Sequence, residues 1–370
     1  MRADFNLPIE KGKIADEYKI IMQLPTIRYL LENEAKIIII SHLGRPNGKY
    51  AKNLSLKPIA DKLGRILGRQ IKFNQDYIGF SAGNEAIKLK NKEILMLENL
   101  RFNIGEIKNS QIFAKKLSRL ANIYVNDAFA ASHRKQASLD AIKKYLPSYA
   151  GFLIEEEIKN LNKILQPEKP LIVVLGGVKA NTKIPLIFKL NKKARYVLIG
   201  GALANNFLLA RHYEIGRSAY EEIGLKFARE FKSDKIILPV DAVISSRKNS
   251  WRPKIKNIKE IKKTDYIFDI GPKTIYLYSR LIKNASTIIW NGPMGMFEKE
   301  EYKHGTMAIA RTIAARSRGQ AFGAVGGGET VDALGMTKMA EYVDWVSTGG
   351  GAMLSYLAGE KMPGLKGLIK

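Results

Sequence analysis

LIVVLGGVKANTKI, residues 171–184, sets five aliphatic residues ahead of a Gly176–Gly177 break and two lysines, Lys179 and Lys183. An unbroken apolar run of that length predicts a strand buried on both faces, as in parallel sheets. A helix is expected to open near Ala180, with Lys179 and Lys183 one turn apart on one side of its first turn. Cations there oppose the helix macrodipole, whereas glycines admit a ligand to the backbone and free N–H groups attract anions. A phosphate held between the lysines would account for all three features. The plain alternative is a strand–turn–helix with two solvated lysines.

Downstream the theme recurs in YVLIGGALA (196–204), TIIWNGPMG (287–295), AFGAVGGGET (321–330) and WVSTGGGA (345–352), each ahead of a plausible helix. Five glycine turns in one α/β half suggest a ligand lying across the strand ends against bare main chain. Neither a G-x-G-x-x-G turn with its later acidic residue nor a G-x-x-x-x-G-K-[ST] loop is present, so a nucleotide site here is of another kind. Residues 235–273 are the least regular. KIILPVDAVISS reads as two short strands, and the lysine-rich 252–263 as an exposed connection.

Upstream, KIIIISHLGRP (36–46), EILMLENLRF (93–102) and IYVNDAFAASHR (123–134) each run from strand into loop. Between the first two, LSLKPIADKLGRILG (54–68) is helical in spacing and stops on Gly68. Strands separated by helix-length segments predict a parallel sheet whose ligands sit beyond the carboxyl ends of the strands. Those ends carry His42, Arg45, Arg101 and Arg134, an anion pocket if they converge. RADFNLP (2–8) reads as another strand end with Asp4 and Asn6 beyond it, but only Met1 precedes Arg2. A truncated first strand is expected to expose neighbouring backbone groups and weaken this half. GFLIEEEIKNLNKIL (151–165) has the apolar spacing of an amphipathic connecting helix, ended near Pro167.

The chain has 370 residues, a net charge of +26 and no cysteine. Its length suits two domains. Disulfides and thiolate chemistry are excluded, in keeping with a cytoplasmic location. No signal-peptide pattern and no apolar run of roughly 18 residues is present, so no membrane partner is expected. The charge favours polyanionic ligands. It is spread without a block of five or six cations, which argues against nucleic acid and for phosphorylated small molecules. A cation-lined half and a glycine-lined half suit phosphoryl transfer between a small anion and a nucleotide, which asks mainly for positioning and positive charge. No Ser–His–Asp or paired-carboxylate arrangement stands out, which fits an acceptor that is itself a carboxylate.

RADFNLP, LPTIRYLL, SHLGRP, SLKPIADKL, LENLRF, VNDAF, LGGVKANTKI, IGGALANNFL, WNGPMGMFE, GGGET, STGGGA and MPGLKGL resemble the phosphoglycerate kinase family, in order and over nearly the whole chain. The resemblance implies an α/β fold of two doubly wound, Rossmann-like parallel-sheet domains joined by a helix, with a cleft between them that closes on substrates. Residues 1–150 would bind 3-phosphoglycerate, 151–166 form the connecting helix, 167–351 bind nucleotide, and 352–370 return to the first domain. It implies reversible transfer between 1,3-bisphosphoglycerate with ADP and 3-phosphoglycerate with ATP, using Mg2+, by a monomer acting on small molecules. Asp4, Phe5, Asn6, Lys19, His42, Leu43, Gly44, Arg45, Arg101 and Arg134 match its triose-binding positions. Gly177, Lys179, Lys183, Gly200, Gly201, Asn291, Pro293, Glu298, Gly327, Gly328, Glu329 and Thr330 match its nucleotide positions. Lys183, Lys19 and Lys179 would act on the transferred phosphoryl and Glu329 would meet the metal.

Several positions depart from that pattern. Lys19 stands for an arginine, which keeps the charge but loses the planar fork. Glu329 and Thr182 stand for aspartates, Gln136 for a histidine and Ala130 for a glycine. A working kinase is the main expectation, and a non-catalytic homologue that binds nucleotide or phosphoglycerate the alternative.

Overall fold

The computed structural model describes residues 1–10, 13–14, 17–246 and 252–369. The chain divides into two compact units, one of residues 1–158 with 361–370, the other of residues 159–360.

In the first unit a small hairpin, β1 (Ile9–Glu10) and β2 (Lys13–Ile14), precedes the sheet strands. These are β3 (Ile37–Ile39), β4 (Lys72–Asn74), β5 (Ile94–Leu97), β6 (Tyr124–Asn126) and β7 (Ser148–Ala150). β3, β5 and β4 lie in parallel in that order, and β6 pairs in parallel with β7. Side chains alternate across a strand. Ile94 and Met96 of β5 therefore join a core with Ile27, Ile59 and Leu63, and Leu95 and Leu97 join another with Phe113, Leu117 and Ile142. Helices cover both faces, the doubly wound arrangement.

The chain start corrects one expectation. Arg2 bridges in parallel to both Ile40 and Asn126, linking the two small sheets. Its N–H donates to Val125 O at 2.7 Å, and the N–H groups of Ala3 and Asp127 donate to Ile40 O and Arg2 O. At this level the neighbouring backbone groups are paired, and three residues suffice as the bridge. Beyond β7, Ile369 adds a further bridge to Tyr149, and Asn126 donates its side-chain N–H to Gly364 O.

The helix Phe152–Leu165 buries Leu153, Ile154, Leu161 and Ile164. Its first turn is held from a distance by Asp127, whose Oδ1 accepts the N–H of Leu153 at 2.9 Å. Burial pushes the Asp127 carboxyl up to about 7. Between the ordinary carboxylate range and that value the folded chain holds a proton the unfolded chain has released. The group therefore favours folding at acid pH, and that contribution is lost as pH rises through about 7. Asp127→Ala removes the cap and is expected to cost about 1–2 kcal/mol in urea unfolding; no change would contradict the capping role.

The second unit holds β8 (Leu171–Leu175), β9 (Tyr196–Ile199), β10 (Ile236–Ile237), β11 (Asp241–Ser245), β12 (Lys254–Asn257), β13 (Tyr266–Ile270), β14 (Thr287–Asn291), β15 (Phe322–Gly326) and β16 (Trp345–Ser347). Six run in parallel in the order β10-β9-β8-β14-β15-β16. Every residue of β8 and β14 is buried, as the apolar runs require. Ile172, Val174, Ile288 and Trp290 face a core filled from the helices Pro272–Lys283 and His304–Ser317.

Two local readings differ from the structure. The helix after β8 opens at Ile184, not near Ala180, because Pro185 suits the first turn and the chain before it is a tight turn. The lysine-rich stretch 252–263 is not merely a connection: β12 pairs antiparallel with β11, which also pairs with β13. Lys254 and Ile255 are exposed there, so no buried alternation marks the strand in the sequence. After β14 the chain also continues through residues 292–303 before its next α-helix, at His304.

Candidate active site

In the first unit, the loops after β3, β5 and β6 bring cations together. His42 and Arg101 are buried, Arg134 is half-buried and Arg45 is exposed. Arg101 donates to Gly44 O at 2.7 Å and to Gln136 Oε1 at 3.3 Å. Burial, then Arg134 and Arg2, hold the Arg101 guanidinium below its ordinary value, and Arg134 is lowered by burial and by Arg45. His42 lies well below the ordinary histidine value through burial and the cations Arg2, Arg101, Arg134 and Lys19. It is neutral in the working range. Its Nδ1 faces Arg2 Nη2 at 2.9 Å, and arginine can only donate, so Nε2 carries the proton. The cluster is rich in positive charge, and an anion would relieve its mutual repulsion.

Asp4, Phe5 and Asn6 line the chain segment beside these groups. Asp4 is buried, and its Oδ2 accepts from Lys19 Nζ at 2.8 Å; Lys19 also donates to Asn6 O at 3.0 Å. Those two bonds leave the third ammonium proton of Lys19 for a ligand. Asn6 Oδ1 accepts the Gly44 N–H at 2.9 Å, and Leu43 O accepts from Asn99 at 2.7 Å. Phe5 is a core residue whose N–H meets Ser41, so its contribution is to hold the backbone. Sequence reading missed Arg2, which is buried and donates to Ser138, Ala3 O and His42. No spacing or local pattern marks it, because its side-chain partners Ser138 and His42 come from two distant segments.

In the second unit, the glycine turns stack on one another. Gly177 N donates to Pro293 O, Gly201 N to Met294 O and Gly176 N to Asn291 O. A Cβ on Gly350 would stand 2.6 Å from Gly327 Cα, and one on Gly201 2.6 Å from Gly177 N. Much of the glycine content is thus required by turn-on-turn packing rather than by a ligand. Asn291 donates to Gly326 O at 2.6 Å and Thr330 accepts the Gly292 N–H at 2.7 Å, so both buried side chains brace the turns.

Beside these turns lies a cavity of about 550 Å³ walled by Gly177, Gly201, Pro293, Glu298 and Glu329. Asn205, Leu208, Ala219, Phe268 and Met294 add to its lining. Gly200, Asn291, Gly327, Gly328, Thr330, Lys179 and Lys183 are not part of that wall. Gly327 and Gly328 open the helix Gly328–Met336, whose first N–H groups suit a phosphate. Lys179 is exposed. Lys183 is 6% exposed, and its Nζ lies 3.5 Å from where a Gly177 Cβ would stand. Burial lowers its pKa below the ordinary lysine value, while Glu329 and Glu221 oppose that shift. A nearly buried ammonium beside a nucleotide-sized cavity and two carboxylates is suited to neutralising a phosphate.

The whole chain is similar to known proteins in sequence and in fold. The family model for phosphoglycerate kinase matches residues 1–360. A phosphoglycerate kinase of Moorella thermoacetica is 42% identical over 378 residues, covering 100% of this chain and 95% of its own. Another, of Thermosipho africanus, is 42% identical over 374 residues, 99% of this chain and 93% of its own. The solved phosphoglycerate kinase of Coxiella burnetii superposes with a TM-score of 0.85 at 37% identity, over 99% of this chain and 94% of that one. That of Pyrococcus horikoshii gives 0.86 at 33% identity with the same coverage. With whole-chain matches in both sequence and fold, this chain belongs to the phosphoglycerate kinase family of phosphotransferases.

Proposed function

We propose that the chain catalyses reversible phosphoryl transfer between 1,3-bisphosphoglycerate with ADP and 3-phosphoglycerate with ATP. The observation that carries this reading is Lys183, a nearly buried ammonium beside Gly177, which walls the 550 Å³ cavity. In the direction of ATP use, a carboxylate oxygen of 3-phosphoglycerate attacks the γ-phosphorus and the bond to the β,γ-bridging oxygen breaks. The nucleophile carries no proton, so no general base is required. Positioning and charge are what remain for the protein to supply.

In this reading Arg45, Arg101, Arg134 and the third proton of Lys19 bind the anionic groups of the triose, and the neutral His42 donates from Nε2. Asp4 and Asn6 hold Lys19 and the Gly44 backbone in place. The cavity takes the nucleoside, with Glu298 as an acceptor for ribose hydroxyls and the N–H groups at Gly327–Gly328 facing phosphate oxygens. Lys183, with Lys179 nearby, neutralises the migrating phosphoryl.

Magnesium fits the residues present. Among the described residues no group of three His, Cys, Asp or Glu could cage a metal. Magnesium on a nucleotide needs only one or two carboxylates beside the phosphates, and Glu329 lies exposed at the cavity wall. When bound, the ion neutralises phosphate charge. On the same footing we place the chain in the cytoplasm as a monomer; sedimentation at 41.5 kDa would support the monomer and twice that mass would refute it. Among the described residues no helix is long and apolar enough to cross a membrane.

A coupled assay of the purified chain with ATP, magnesium and 3-phosphoglycerate tests the reading. Saturable product formation in both directions is expected. Binding of both ligands without turnover would mark a non-catalytic homologue instead.

A further inference from the structure

The loop that carries Lys183 hangs from one residue. Ala180 is fully buried, and its carbonyl accepts the N–H of Lys183 at 2.9 Å and of Ile184 at 3.0 Å. Its own N–H donates to Glu221 Oε2 at 2.6 Å, a short charge-assisted bond from outside the loop. Glu221 is fixed in turn, since its N–H donates to Asn206 Oδ1 at 2.9 Å. Two residues earlier, Ala219 O accepts from Asn205 at 2.8 Å. The same strap places Arg217, Ser218 and Ala219 in the cavity wall. Behind it there is no spare room: a Cβ on Gly224 would stand 2.7 Å from both Ala180 Cβ and Asn206 Cγ.

We propose that Glu221 is a positioning residue for phosphoryl transfer, fixing the Lys183 ammonium by holding Ala180 against the strap that walls the nucleotide cavity. The inference rests on the function proposed above and adds a residue that touches neither ligand. Thr182, standing where the resemblance places an aspartate, donates to Lys179 O within the loop and offers no such tie. The Glu221 charge also favours the charged form of Lys183.

Three variants of the full chain test this, each assayed for kcat and both KM values alongside thermal melting. Glu221→Ala is expected to lower kcat by ~10²-fold, the scale of a displacement of about 1 Å in the site, with both KM values little changed. Glu221→Gln, whose amide oxygen can still accept from Ala180, is expected to recover most of that loss. Gly224→Ala presses on Ala180 and on Asn206, which holds the Glu221 N–H, while leaving the Glu221 side chain in place; if Glu221→Ala fails to fold, a loss of kcat with both KM values unchanged in Gly224→Ala supports the tie and parental kcat overturns it. Parental kcat in Glu221→Ala, a loss that Gln does not recover, or a loss confined to KM and melting would each overturn the proposal. Lys183→Ala separates the two levels. Activity surviving that change refutes the role proposed for Lys183, whereas an inactive Lys183→Ala beside a fully active Glu221→Ala refutes only the tie.

Discussion

Lys183→Ala is expected to lower kcat on the order of 10³-fold in both directions, the scale of losing a main electrostatic contact to a migrating phosphoryl. The size follows from burial: Lys183 is 6% exposed, so water screens its charge poorly and little can replace it. Loss in kcat rather than KM is the signature of an interaction made chiefly in the transition state. A pH profile adds a second check. Burial lowers the Lys183 pKa below 10.5, and the side chain acts while protonated. The rate is therefore expected to fall on the alkaline side before an ordinary lysine would titrate, and that limb should vanish from any residual activity of the alanine variant. An unchanged kcat would remove Lys183 from the chemistry.

Arg101→Ala is expected to raise KM for 3-phosphoglycerate by about 10–100-fold, as loss of a charge-assisted hydrogen bond of about 1.5–3 kcal/mol implies, with a smaller effect on KM for ATP. Arg101 is buried among cations, yet its hydrogen-bond partners are neutral, Gly44 O and Gln136. Nη1 and Nη2 each spend one proton on these partners, so the guanidinium retains donor capacity for an anion. The same crowding predicts a thermal effect. An anion that binds only the folded state stabilises by about 2.7 kcal/mol at 100 times its Kd. Melting of the parent chain should rise with 3-phosphoglycerate, and that rise should shrink in Arg101→Ala. Equal KM values and equal ligand-induced shifts would show that Arg101 is a structural residue only.

The parallel strands of the second unit were legible because β8, β9, β14 and β15 are apolar runs ending on glycine. β4 and β7 escaped notice because KFN and SYA are three residues each, too short for a period to show. β12 escaped because Lys254 and Ile255 are exposed, and exposure on an edge looks like a connection in sequence. The helix start at Ile184 is poorly marked in the sequence because Lys183 before it makes no side-chain cap and only Pro185, one residue on, signals the first turn. Glycine turns suggest ligand contacts in the sequence, whereas Gly201 and Gly350 are needed first by neighbouring backbone and Gly327 by its φ of +106° and the Asn291 side chain. The resemblance names individual site positions. It does not name what supports them: Arg2 and Glu221 act through partners 40 or more residues away, and no local pattern encodes such a pairing.

The most direct test is a structure of the chain with ADP, magnesium, 3-phosphoglycerate and aluminium fluoride, which mimics the phosphoryl in transit. The Lys183 ammonium should stand within about 3 Å of a fluoride, with Glu221 still bonded to Ala180. A fluoride group with no contact to Lys183, its ammonium left beside Gly177, would contradict the account.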